Sequence, residues 1–139
     1  MTPTRRDLEL AREVWSHMAE LVDGTRRKRE VCDETGLSWG KARALLRIAE
    51  GPLSMRELAT FLVMDPPNVT TLIDDLQRAR LLHREPHPSD RRMILVVITT
   101  EGAVVARRVH EIFERPPEVL VRLSRDDLGE LRRILRLVR

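Results

Sequence analysis

The segment between residues 54 and 99 constrains the fold of this chain more than any other, because two helix-start signals precede a hairpin pattern there. Ser54 followed by Glu57 is a capping box, which predicts that a helix begins at the next residue. Asp65 followed by Pro66 predicts a second start, with a capping carboxylate and then a proline at the first helical position. We therefore expect two short helices joined by a tight turn.

The second of these helices has an apolar face and a polar face. The apolar side chains recur at helical spacing and are expected in the core: Val69, Leu72, Ile73 and Leu76. The opposite face carries compact or short polar side chains: Pro67, Asn68, Thr70, Thr71 and Asp74. Such side chains suit close approach to base edges in a DNA major groove. The alternative is an ordinary solvated helix face.

A hairpin pattern follows the two helices. Residues 83–85 and 93–98 are strand-like, and the second stretch is rich in β-branched side chains. Residues 86–92 between them form a polar segment with two prolines. A helix-turn-helix followed by a two-stranded wing is a typical DNA-binding arrangement.

This segment resembles the winged helix-turn-helix of the MarR family, whose members are dimeric bacterial transcription regulators. The opening of the first helix carries part of the likeness: Leu53, Glu57, Leu58 and Ala59. The aspartate-led second helix carries another part. The third is the wing pattern, in which Asp90-x-Arg92 precedes an apolar strand, a threonine and Glu101-Gly102. The flanking helices also fit, so the likeness covers nearly all 139 residues.

The predicted fold is mainly α with a small β-wing (an α+β winged helix-turn-helix) in a single domain over residues 1–139. The apolar patterns predict further helices over residues 7–34, 39–50, 101–115 and 124–138. The resemblance implies a DNA-binding lobe at 52–100 and dimerisation helices at 5–34 and 118–138. The alternative is that the terminal helices pack only on their own domain.

The resemblance also implies roles for residues around the wing. Arg92 would enter the minor groove, where negative potential favours arginine, and Asp90 would hold its guanidinium group. Arg91 would contact phosphate. Ser54 and Arg56, at the first turn of the leading helix, would contact phosphate as well. The alternative for the wing tip is a flexible charged turn.

Two residues depart from the family pattern, whereas Asp74 fits it. Asp75 stands where many relatives have a basic residue, which predicts lower general affinity for DNA. Arg80 stands where relatives usually have glycine, so a left-handed backbone at Arg80 would cost about 1 kcal/mol.

The net charge of +3 is unevenly distributed. Residues 25–47 contain seven basic and three acidic side chains, whereas residues 52–100 contain six of each. Binding to DNA by this lobe would depend on individually placed arginines and helix N-termini rather than on its overall field.

Cys32 and His110 raise two alternatives, redox sensing and metal sensing. Cys32 is the single cysteine, which excludes an internal disulfide. It is a redox-sensor candidate, although the chain has no tyrosine of the kind that peroxide-responsive relatives use, and we expect a buried small residue instead. His110 and Glu114 lie four apart on one helix, but one such pair is a weak metal signal, and we expect no metal.

A ligand pocket is a further hypothesis. Trp39 and Arg43 lie one turn apart on the second helix, and Trp15 and His17 lie on the first. Arg43 would pair with an acid and Trp39 would cover a ring. The alternative, which we favour at this point, is that both tryptophans belong to the core and Arg43 is solvated.

These patterns predict a homodimeric, sequence-specific DNA-binding transcription regulator, most simply a repressor. By resemblance it would bind a palindromic operator and be released by a small aromatic or anionic compound. The alternatives are a winged-helix protein-interaction module without a DNA target, and a redox- or metal-sensing regulator. No catalytic motif, cofactor motif, signal sequence or apolar span is present in the sequence, so we expect a cytoplasmic protein that is not an enzyme, without a cofactor and away from membranes.

Overall fold

The computed structural model describes residues 3–22 and 24–138. The helices in these ranges are α1 (Arg5–Leu21), α2 (Gly24–Thr35), α3 (Trp39–Ala49), α4 (Met55–Leu62), α5 (Pro66–Arg78), α6 (Thr100–Glu114), α7 (Glu118–Val121) and α8 (Arg125–Leu137). The strands are β1 (Leu53–Ser54), β2 (Leu82–Pro86) and β3 (Ile94–Ile98). The chain divides into two units, one of residues 24–113 and the other of residues 1–23 with 114–139.

The predicted wing is present, but its sheet has three antiparallel strands rather than two, in the order β1-β3-β2. The third strand is the two-residue β1, in which Leu53 lies opposite Val96. Two residues are too few to produce an alternating pattern, so the sequence did not reveal this strand. In the hairpin, Leu82 pairs with Ile98 and Pro86 with Ile94.

The unit of residues 24–113 is built around one apolar core. Its fully buried large side chains come from α2 to α6 and from both hairpin strands: Val31, Leu45, Ile48, Leu58, Val69, Ile73, Leu76, Leu82, Val96, Val109 and Ile112. All four residues predicted to form the apolar face of α5 are buried. The polar face of α5 is therefore turned away from the core.

The junction between α5 and the sheet is tightly constrained. Arg80 has a left-handed backbone (φ 59°), the conformation whose cost was considered from the sequence. The Thr99 hydroxyl donates to the Arg80 carbonyl at 2.7 Å and accepts from the Gly102 N–H at 3.0 Å. A Cβ on Gly102 would lie 1.8 Å from the Leu81 carbonyl oxygen. Glycine is therefore required where α6 meets this turn.

The prediction of one long helix over residues 7–34 was wrong. Two helices occupy this range, because α1 ends at Leu21 and α2 begins at Gly24. Gly24 indicated an interruption of the helical pattern, because glycine has low helix propensity. The sequence did not show that the interruption separates two helices. The break also places α2 with the winged unit, where Val31 is fully buried.

The prediction that Cys32 is buried was also wrong, because its side chain is exposed. Successive side chains of a helix diverge by about 100°. Val31 faces the core of its unit, so the next residue is turned away from that core.

The other unit contains α1, α7 and α8, and none of these helices has a buried residue. Leu8 is 48% exposed and Trp15 is 70% exposed, although the apolar residues of α1 recur at helical spacing. Leu120 and three leucines of α8 line an open groove of about 380 Å³ together with two arginines: Leu128, Leu131, Leu135, Arg132 and Arg136. Both terminal helices thus carry uncovered apolar faces.

No helix within the described residues is long and apolar enough to span a membrane.

Candidate nucleic-acid interface

The leading helix α4 is set by the capping box expected from the sequence. The Ser54 hydroxyl accepts from the Glu57 N–H at 3.2 Å, and Glu57 Oε2 accepts from the Ser54 N–H at 2.8 Å. The hydrogen bond from the Ser54 N–H, followed by the one that the Ser54 hydroxyl donates to Glu57 Oε2 at 2.9 Å, lowers the pKa of the Glu57 carboxyl. The helix ends at Leu62, and the following residue, Val63, adopts a left-handed backbone (φ 54°) that the sequence did not predict.

The start of α5 differs from the prediction in its chemistry. Asp65 is the N-cap residue, but its side chain makes no capping hydrogen bond. Pro66 and Pro67 occupy the first two helical positions and have no N–H to be capped. The Asn68 N–H donates to the Asp65 backbone carbonyl at 3.0 Å. The two prolines therefore make a capping carboxylate unnecessary.

The first turns of α5 present the polar face that the sequence predicted. Pro67, Asn68, Thr70 and Thr71 are all exposed. The Thr70 hydroxyl donates to the Pro66 carbonyl at 3.0 Å, and the Thr71 hydroxyl donates to the Pro67 carbonyl at 3.1 Å. Both threonines thus keep acceptor lone pairs and a methyl group on the surface, which are the groups that base edges contact.

Asp74, the fifth residue of this face, forms an ion pair with a residue of the hairpin. Its Oδ1 lies 2.7 Å from Nη2 of Arg84 on β2. The other terminal nitrogen of Arg84 donates to Gln77 Oε1, also at 2.7 Å. Because a guanidinium group holds two partners in a fixed geometry, Arg84 fastens one flank of α5 to the wing. The sequence reasoning had not identified Arg84.

Asp75, the next residue, fastens α5 to α3. Its carboxylate lies 2.9 Å from Lys41 Nζ on α3 and 3.1 Å from Nη1 of Arg78 on α5. These two cations lower the pKa of Asp75, the hydrogen bond from Lys41 being the largest cause. Asp75 is thus a paired carboxylate, and its two partners were not predicted from the sequence.

Arg78 is a second residue that the sequence reasoning missed. Its side chain is 75% exposed, and it follows Thr71 by seven residues, so both lie on the same side of α5. The spacing from Thr71 through Asp74 to Arg78 was the available signal. It extends the predicted face by one turn and adds a cation to it.

The wing tip places Asp90, Arg91 and Arg92 on the surface, as predicted. Asp90 Oδ1 accepts from the Arg92 backbone N–H at 3.0 Å, and the Asp90 carbonyl accepts from the Met93 N–H at 3.0 Å. Asp90 was expected to hold the Arg92 guanidinium group, but its carboxylate contacts the backbone of that residue. Asp90 therefore shapes the turn, because a short side chain before a turn readily accepts from the N–H two residues on.

The two residues predicted to contact phosphate at the start of α4 differ in exposure. Ser54 is only 8% exposed, and its hydroxyl is engaged in the capping box. Arg56, by contrast, is exposed in the first turn of the helix. The phosphate contact at this turn therefore remains a prediction, and it is best assigned to Arg56.

The hypothetical ligand residues lie in different environments. Trp39 is half-buried and packs on Phe113, with ring centroids 4.9 Å apart, as the core alternative predicts. Trp15 is largely exposed, which contradicts that alternative. Arg43 is not simply solvated, because its guanidinium carbon lies 5.1 Å from the Phe61 ring centroid.

His17, the remaining residue of this set, is exposed on α1. Across the described residues, no three histidine, cysteine or acidic side chains are grouped closely enough to hold a metal ion.

Comparisons with known proteins find similarity in both sequence and fold. Residues 35–93, which contain α3, α4, α5 and β2, match the model of the MarR family. The multiple antibiotic resistance protein MarR of Escherichia coli (strain K12) is 30% identical over 84 residues, which is 59% of this chain and 58% of that protein. The match thus spans little more than half the length of this relative.

Solved structures extend the likeness in fold to almost the whole chain. YusO from Bacillus subtilis has a TM-score of 0.73 at 20% identity over 97% of both chains. A point mutant of S. aureus MepR, solved bound to an oligodeoxyribonucleotide, has a TM-score of 0.69 at 19% identity. That match covers 94% of this chain and 93% of the other. At these identities the similarity shows a shared fold.

Proposed function

We propose that this chain, whose residues 35–93 match the model of the MarR family, is a DNA-binding transcription regulator that recognises DNA with α5 and the wing. The observation that carries this proposal is the exposed polar face of α5, held in place by Arg84 and Asp75. A helix that reads base edges must be held rigidly, since a bidentate contact depends on the position of both partners. The oligonucleotide-bound MepR neighbour supports the same role.

We further propose that the regulator acts as a homodimer on a palindromic operator. The uncovered apolar faces of α1 and α8 support self-association, because amphipathic helices need an apolar partner surface. Two copies related by a two-fold axis would present their α5 helices to half-sites about one helical turn apart.

The test is a gel shift with the DNA that precedes the reading frame of this protein, measured over a series of salt concentrations. We expect a discrete complex that weakens as salt rises, since phosphate contacts release counterions. A scrambled duplex of the same composition is the control. Equal binding to both duplexes, or no binding even at low salt, would favour the protein-interaction alternative instead.

Release by a small aromatic or anionic compound is the last part of the proposal. A compound that binds the folded protein must raise its melting temperature. Aromatic acids should therefore shift the melting curve of the wild type, and Arg43→Ala should reduce the shift while DNA binding persists. Unchanged melting curves across a panel of such acids would exclude this effector class.

A further inference from the structure

The cations around α5 are arranged in an unexpected way. Lys41 and Arg78 are the basic side chains that flank Asp75, and both are paired with this one carboxylate. Their side chains are 30% and 75% exposed, so neither cation is buried in the core. Asp75 therefore neutralises positive charge on the part of the surface that bears the exposed face of α5.

We infer that Asp75 limits the general affinity of this protein for DNA by holding Lys41 and Arg78 away from phosphates. The inference rests on the proposed function. Phosphate contacts supply most of the sequence-independent binding of a DNA-binding protein, whereas base contacts supply its specificity. A carboxylate that occupies two cations beside the reading face thus lowers binding to all sequences and leaves the contacts of Thr70 and Thr71 intact.

The placement of Asp75 supports this role in addition to its fastening of α5. It follows Thr71 by four residues and is therefore on the same side of α5. The Lys41 amine and the Arg78 guanidinium group approach different oxygens of the carboxylate, Oδ2 and Oδ1. Loss of the negative charge would release both cations at once. Within residues 52–100, which include Asp75 and Arg78 but not Lys41, six basic side chains are balanced by six acidic ones.

The decisive experiment compares the wild type with Asp75→Asn on a random-sequence DNA duplex, by fluorescence anisotropy between roughly 50 and 200 mM salt. We expect Asp75→Asn to bind more tightly and with a steeper salt dependence, by about 0.9 in slope for each cation released. For each cation released, the gain in DNA affinity over the wild type should be about three- to fourfold larger at the lower salt concentration than at the higher one. Asp33→Asn is the matched control, because it removes one exposed carboxylate from α2.

Lys41→Ala separates a charge effect from a change in helix position. In the wild type it should leave the salt slope almost unchanged, because Lys41 is already neutralised by Asp75. In the Asp75→Asn background, Lys41→Ala should reverse part of the gain in DNA affinity. The wild-type arm gives an answer even if Asp75→Asn does not fold, because a slope about 0.9 shallower there would show that Lys41 already contacts phosphate and would overturn the inference.

The remaining outcomes are also distinct. Unchanged or weaker binding by folded Asp75→Asn, with wild-type binding intact, would refute this inference and leave the proposed function standing. The same gain in Asp33→Asn would refute it too, since net charge alone would then explain the effect. If neither the wild type nor Asp75→Asn binds any duplex at low salt, the proposed function and the inference both fail.

Discussion

Individual residues at the junction between α5 and α6 determine whether α6 can pack against the turn that follows α5. Gly102 packs so tightly against the Leu81 carbonyl that no side chain can be added without moving the backbone. Arg80 tolerates its left-handed backbone at a cost of about 1 kcal/mol, and the Thr99 hydroxyl contacts its carbonyl. The sequence contains both features, but only the structure shows that they meet.

Gly102→Ala is expected to destabilise the protein by about 1–3 kcal/mol or more, because overpacking at this contact must displace main chain. Urea denaturation followed by circular dichroism measures the change. Gly40→Ala is the matched control, since its Cβ would only reach ordinary contact with Leu72 at 3.4 Å. The control should be neutral or stabilising by up to about 1 kcal/mol. Equal effects of the two substitutions would contradict the proposed clash.

Arg92→Ala is expected to weaken operator binding by about 1–3 kcal/mol through loss of a groove contact. The side chain is exposed at the wing tip, so the fold should be unaffected. Titration of operator DNA by anisotropy measures the loss, with the exposed Arg107→Ala on α6 as a control for charge. Wild-type affinity in the Arg92 variant would mean that the wing does not reach the DNA.

At the scale of elements, α4 and the turn that follows it set the position of α5. The Ser54–Glu57 capping box fixes where α4 begins, and it lowers the pKa of Glu57 chiefly through the hydrogen bond from the Ser54 backbone N–H. A depressed acid pKa stabilises the fold fully above the ordinary value of 4.5. That contribution disappears as the pH falls through the lower folded-state pKa.

Glu57→Gln is therefore expected to be less stable than the wild type at neutral pH, and the two should converge as the pH falls below 4.5. Thermal melts over an acidic pH series provide the measurement. Glu101→Gln is a suitable comparison, since Glu101 is an exposed acid in the first turn of α6. A difference between wild type and Glu57→Gln that stays constant with pH would rule out the ionised carboxylate as its source.

Much of the secondary structure of the winged unit was predictable from local sequence signals. The apolar face of α5, the two helix starts at Ser54 and Asp65, and the hairpin all follow from short-range patterns, and the structure confirms them. The third strand, the contacts of Arg84 with α5 and the pairing of Asp75 with Lys41 join residues far apart in sequence. No local pattern encodes such partners, so these features required the structure.

At the scale of the whole molecule, the two units differ in how they bury apolar surface. The unit of residues 24–113 has its own core, whereas α1 and α8 expose leucines along their length. The sequence predicted uncovered apolar faces on the terminal helices, and residues 24–34 belong to the unit of residues 24–113. We propose that self-association covers these faces, and a dimer would also have the two-fold symmetry that suits a palindromic operator.

Selection of binding sites from a random pool of DNA duplexes tests the central claim, a dimer that reads DNA with two α5 helices, most directly. We expect enrichment of an inverted repeat whose half-site centres lie about 10 base pairs apart, or a multiple of one helical turn. Light scattering on the selected complex should show two protein chains per duplex. A pool without enriched sequences, or a single asymmetric site bound by one chain, would contradict the account.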